Sequence, residues 1–161
     1  MQKDIIELAQ RLGQVLQARN WLAATAESCT GGGVAYAITA ISGSSAWFDR
    51  SFVTYTNEAK QQMLGVAAST LETYGAVSEA VVREMTAGTL AHSQANIAVA
   101  ISGIAGPTGG SDEKPVGTVW IAWQTGEGRQ HAQHYLFSGD REQVRLQAIR
   151  EALSGLLSFS K

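Results

Sequence analysis

Ile5, Ile6, Leu8, Leu12, Val15 and Leu16 recur near helical spacing, which predicts a helix over roughly residues 3 to 19 with one buried face. WLAATAE then reads as a short strand. CTGGGVAYAITAIS follows as a turn that opens a small-residue helix packed close to its neighbours, so the first unit is strand, glycine turn, helix. SGSSAWF reads as a loop, and the β-branched and aromatic SFVTYT, Ser51 to Thr56, as a second strand. NEAKQQMLG is helical, with Thr56 or Asn57 as its cap. Ser69 to Tyr74 predicts a short helix closed by Gly75, and Ser78 caps the long helical pattern VSEAVVREMTAGTLAHSQA. NIAVAISG is a near-continuous apolar run of strand length, as expected of a central strand buried on both faces.

IAGPTGGSDEKPVG carries both prolines of the chain and reads as a long ordered loop, a common location for function. TVWIAWQTG and RQHAQHYLFSG then form a hairpin that turns at GEG. In the closing helix, DREQVRLQAIREALSGLLSF, Asp140 is the cap and Val144, Leu146, Ile149, Leu153 and Leu156 share a face. Strands and helices in this order predict a single-domain α/β fold, a three-layer α/β/α sandwich whose mixed sheet holds at least one antiparallel pair.

Composition narrows the classes of function. The 161 residues fit one compact domain, 45% of them apolar and 16% charged. With 12 basic and 14 acidic residues and no block of like charge, the chain carries neither a nucleic-acid footprint nor a membrane-surface patch. A lone cysteine makes no internal disulfide, the N-terminal pattern lacks the apolar core of a signal peptide, and no apolar run is long enough to span a membrane. These features lead us to expect a cytoplasmic protein. Few charges and four tryptophans lead us to expect a homo-oligomer.

The candidate chemistry lies in a few short stretches. AESCTGG, Ala26 to Gly32, sets a glycine turn before a helix, where unpaired N–H groups bind an anion or stabilise an oxyanion. The competing reading is packing, with Ser28 or Thr30 capping the helix. Cys29 gains acidity at a helix start, yet lone cysteines are usually buried, and His92, His131 and His134 all fall outside the glycine loops. Lys60 follows a strand in the first turns of a helix, where a cation is disfavoured and a desolvated lysine becomes a base. Tyr55 precedes it by five residues and the serines of SGSS offer hydroxyls; an exposed lysine and a packed tyrosine are the alternative. Arg141 opens the last helix, which suits an anion nearby or an ion pair with Asp140 or Glu142. No zinc-type spacing, G-x-G-x-x-G or Walker lysine is present.

Taken in order, AESCTGG, GSSAWF, FVTYTNEAK, GAVSEAVV, ISGIAGPTGG, KPVGTVW and SGDR resemble the nicotinamide-nucleotide amidohydrolase family, the CinA C-terminal domain family, over nearly the whole chain and in its stand-alone form. That resemblance implies hydrolysis of the carboxamide of nicotinamide mononucleotide to nicotinic acid mononucleotide and ammonia, without metal or cofactor. It matches Ser45 to the nucleophile and Lys60 to its base, with Tyr55 assisting. Ser28, with Thr30 and Gly31 of the same turn, Ser102 with Gly103, and Arg141 match positions that contact the substrate or hold its amide. Many relatives carry threonine where Ser102 stands, and both residues supply a hydroxyl. Trp47 and Phe48 are our own candidates for stacking on the pyridinium ring, core packing being the alternative. Two other readings are a catalytically silent paralogue that binds a pyridine nucleotide or a protein, and an enzyme that uses Cys29 as nucleophile.

Overall fold

The computed structural model describes residues 1–161. The elements run α1 (Lys3–Arg19), β1 (Ala23–Glu27), α2 (Gly33–Thr39), β2 (Phe48–Val53), α3 (Asn57–Leu64), α4 (Ala68–Tyr74), α5 (Glu79–Ala91), β3 (Ile97–Gly103), β4 (Thr118–Thr125), β5 (Gln130–Leu136) and α6 (Arg141–Phe159). The sheet order is β2-β1-β3-β4-β5. β2, β1 and β3 are parallel, and β4 and β5 add antiparallel partners, so the sheet is mixed as expected. Helices α1, α2 and α6 cover one face and α3 to α5 the other, which gives the three-layer sandwich.

Two tryptophans set the packing of the first layer. Trp47 is fully buried, and a Cβ at Gly13 of α1 would come within 2.7 Å of its ring. Trp123 of β4 lies against Gly155 of α6 and donates its Nε1–H to the Ala152 carbonyl at 3.1 Å. Glycine on each helix lets the indole seat against the backbone. Trp47 is thus core, and Phe48 packs against the same cluster, so neither is a ring-stacking platform for a ligand.

The second strand begins and ends three residues earlier than the sequence predicts. Pairing with β1 sets its limits, Phe48 opposite Ala23 and Val53 opposite Glu27. Thr56 stops it from continuing, because its hydroxyl accepts the Ala59 N–H at 3.0 Å and caps α3. The SGSSAWF loop contains a turn of 3-10 helix, Ser44–Ala46.

Topology locates the functional end of the sheet. After β1 the chain crosses one face through α2 to the edge strand β2, then returns over the other face through α3 to α5 to β3, on the far side of β1. Strand order therefore reverses between β1 and β3, and their carboxyl ends border a crevice.

Candidate active site

Ser28 is the first residue beyond β1, and its N–H donates to the Ile101 carbonyl of β3 at 3.1 Å, which ties it to the crevice. A turn follows in which Gly31 and Gly32 take φ of +58° and +95°, values open to glycine. Gly31 N–H closes on the Ser28 carbonyl at 3.0 Å and Gly33 N–H on the Thr30 carbonyl at 2.9 Å. The Cys29 N–H donates to no protein acceptor, which leaves it free at the residue after Ser28.

Lys60 reaches the same point from α3. It is 1% exposed, and its Nζ lies 3.1 Å from Ser28 Oγ, 2.8 Å from the Thr54 carbonyl oxygen and 3.5 Å from that of Tyr55. Burial holds its pKa below the ordinary lysine value. The ion pairs of the chain, Arg50–Asp49, Arg83–Glu79 and Arg150–Asp4, leave Lys60 without a carboxylate. Nζ donates to both carbonyls and to the Ser28 hydroxyl; on losing a proton it keeps two N–H donors for the carbonyls and gains a lone pair that can accept the Ser28 hydroxyl proton.

These two side chains open on a cavity of about 350 Å³. Tyr55, Asn57, Ser102, Gly103, Thr108 and Arg141 are among the residues that line it, and none of the lining residues is acidic. Arg141 donates from Nη1 to the Gly106 carbonyl at 2.8 Å and from Nη2 to the Tyr55 hydroxyl at 3.1 Å. It forms no ion pair, because Asp140 instead caps α6 in a reciprocal bond pair with Gln143. An uncompensated guanidinium on the wall of this cavity suits an anionic group of a ligand.

The structure brings Ser28, Lys60, Tyr55, Ser102, Gly103 and Arg141 together and separates the others. Ser45 is exposed in the 3-10 turn two residues before Trp47, whose carbonyl receives the Ala23 N–H at the start of β1. The length of β1 separates it from Ser28, a distance on the order of 15 Å. The resemblance matched Ser45 to the nucleophile beside Lys60, but the structure sets Ser45 at the other end of β1 and brings Ser28 to Lys60 instead. Thr30 is buried and gives its hydroxyl to Glu27 Oε1 at 2.7 Å, and Gly31 lies beside Arg145 in the lining of a separate cavity. Neither lines the crevice, and neither Ser28 nor Thr30 caps α2. Tyr55 sits in the connection between β2 and α3, with its hydroxyl on Arg141 rather than on the amine.

The sequence offers Asn57 only as a candidate helix cap and gives Arg145 no role, yet Asn57 lines the crevice and Arg145 braces its turn. Asn57 lies three residues before Lys60, on the same face of α3, and Arg145 one turn beyond Arg141, so helical spacing is the signal that finds both. Arg145 Nε donates to the Cys29 carbonyl at 3.1 Å and fixes the turn from outside the crevice.

Cys29 lines the crevice but is 5% exposed, and burial pushes its thiol up to about 11. A thiol in that state is protonated at neutral pH. Cys29→Ala is accordingly expected to retain activity within about three-fold, with no alkylation of the wild-type thiol by iodoacetamide at pH 8 in the folded protein. Mass spectrometry and a rate assay check both, and loss of turnover in the variant would restore the thiol as nucleophile.

Comparison with known proteins places this geometry in context. The family model described as CinA C-terminal domain matches residues 5–160. The chain is 57% identical over 153 residues to nicotinamide-nucleotide amidohydrolase PncC of Escherichia coli (strain K12), covering 95% of this chain and 93% of that one. It is 53% identical to PncC of Pseudomonas putida, covering 96% of each chain. Among solved structures, competence/damage inducible protein CihA from Agrobacterium tumefaciens superposes with a TM-score of 0.98 at 46% identity, covering 100% of this chain and 98% of that one. A CinA superfamily protein from Escherichia coli gives 0.93 at 41%, covering 99% and 92%. Motif order, fold and these matches agree, and the chain belongs to the CinA C-terminal domain family.

Proposed function

We propose that this protein hydrolyses the carboxamide of nicotinamide mononucleotide to nicotinic acid mononucleotide and ammonia, with Ser28 as nucleophile and Lys60 as its base. The observation that carries this reading is the 3.1 Å contact between Ser28 Oγ and a buried lysine without a carboxylate partner. The nicotinamide-nucleotide amidohydrolases of the PncC type that this chain resembles supply the substrate.

Ser28 Oγ attacks the carboxamide carbon while its proton passes to Nζ. The carbonyl oxygen becomes an oxyanion and accepts the Cys29 N–H, the donor that follows the nucleophile. Lys60 then returns the proton to the amide nitrogen, the C–N bond breaks and ammonia leaves. Water, deprotonated by Lys60, attacks the resulting ester, and the C–O bond to Ser28 breaks as the serine recovers its proton. Arg141 holds the phosphate, so binding energy remote from the reacting bond orients the amide. With no carboxylate in the lining to attract the pyridinium alone, the phosphate governs capture.

Ammonia release from nicotinamide mononucleotide by the purified protein, in the presence of a metal chelator, tests the proposal. The expected result is one ammonia per nicotinic acid mononucleotide formed. Folded protein that binds the nucleotide and releases no ammonia would favour the silent paralogue.

A further inference from the structure

Glu27 enters none of these steps and lines no wall of the crevice, yet it is fully buried and immediately precedes Ser28. Its carboxylate is surrounded by donors. Oε1 accepts from the Thr30 hydroxyl at 2.7 Å and the Val34 N–H at 2.9 Å. Oε2 accepts from the Ala35 N–H at 3.0 Å and lies 3.1 and 3.3 Å from the hydroxyls of Thr25 and Ser51, which touch each other at 2.6 Å. Val34 and Ala35 are the second and third residues of α2, whose N-cap position is Gly32, a residue with no side chain to offer. The end of β1 therefore supplies the cap that the helix lacks, across the turn carrying Ser28 and Cys29.

We infer that Glu27 is a positioning residue for amide cleavage, its carboxylate holding the 28–33 turn so that Ser28 Oγ meets Lys60 and the Cys29 N–H meets the oxyanion. The inference rests on the reaction proposed above. Its physical basis is that the turn is fastened at both ends. Ser28 is tied to β3 by its N–H, Thr30 and the start of α2 are tied to Glu27, and the Arg145 bond to the Cys29 carbonyl closes the third side. Each carboxylate oxygen takes one backbone N–H of α2, so a glutamine in either amide orientation would point an NH₂ donor at one of those N–H groups. A displacement of the turn by a fraction of an ångström then reaches the reacting atoms.

Glu27→Gln is the test, measured as kcat and KM with nicotinamide mononucleotide and as the rate at which phenylmethylsulfonyl fluoride labels Ser28. In labelling, the Ser28 Oγ–S bond forms, the S–F bond breaks, fluoride leaves and the serine proton passes to Lys60. The expected result is a fall of roughly 10²-fold in kcat with KM within about two-fold. Labelling should fall in parallel, with the midpoint of its pH dependence unchanged, since Glu27 makes no contact with Lys60. A folded Glu27→Gln protein with wild-type kcat and labelling rate would overturn the inference, leaving Glu27 a stabilising residue only. Should that variant not fold, Thr30→Val decides, because it removes one donor and keeps both backbone bonds: a smaller loss of kcat and labelling at constant KM supports positioning, and unchanged rates overturn it. Labelling needs no nicotinamide substrate, so a wild-type protein that labels at Ser28 without releasing ammonia would refute the proposed substrate while leaving the positioning role measurable.

Discussion

Ser28→Ala is expected to lower kcat for ammonia release by roughly 10⁴-fold or more, whereas Ser45→Ala stays within about two-fold of the wild type. The contrast is sharp because one substitution removes the hydroxyl 3.1 Å from Lys60 Nζ and the other an exposed hydroxyl at the opposite end of β1. Ser28→Ala should still bind nicotinamide mononucleotide, since Arg141 and the rest of the lining remain, and calorimetric titration reads that directly. Full activity in Ser28→Ala would remove the proposed nucleophile, and loss of activity in Ser45→Ala would require a route from the far end of the sheet that the structure does not contain.

Lys60→Met is expected to cost a comparable factor in kcat and to change two pH dependences. In the proposed mechanism the neutral amine is the base, so kcat/KM is expected to rise with pH through a lysine pKa that burial has lowered. The variant loses that rise. Stability moves in a related way. The unfolded lysine keeps its proton up to about pH 10.4, while the folded one releases it earlier, so between the two values the unfolded state holds more protons. The contribution of Lys60 to wild-type stability therefore increases with pH across that interval. Lys60→Met lacks this term, and its stability relative to the wild type should decline as pH rises through the interval, which urea denaturation at a series of pH values measures. A pH-independent difference would show that Lys60 titrates alike in both states.

The helices and the sheet interior were legible because burial writes a strong pattern there. The run Ile97 to Ile101 is wholly buried in β3, and Ser78, Thr56 and Asp140 cap the helices for which they were candidates. The boundaries of β2 were not legible, because an edge strand of mixed burial shows no clean alternation and takes its limits from its partner. The serine beside Lys60 was illegible for a similar reason. The resemblance offered both Ser45, as nucleophile, and Ser28, as a substrate contact, and only the register of β1 against β2 and β3 shows which of them stands beside Lys60. Thr30 shows a further limit, since a hydroxyl in a glycine turn looks the same in sequence whether it meets a ligand, a helix end or a buried carboxylate. Its partner Glu27 was present in AESCTGG, but its side chain turns beneath α2, and that direction is fixed by packing.

Because β1 and β3 part at the crevice, the proposed nucleophile and its base belong to different halves of the sandwich. Ser28 is held by the turn into α2, clamped from α6 by Arg145, while Lys60 arrives with α3 from the opposite layer. No single layer contains a working pair. Activity is thus a readout of cooperativity: during denaturation, turnover should vanish in the same transition in which the two helical layers separate from the sheet, and a half-docked species would retain helices without catalysis.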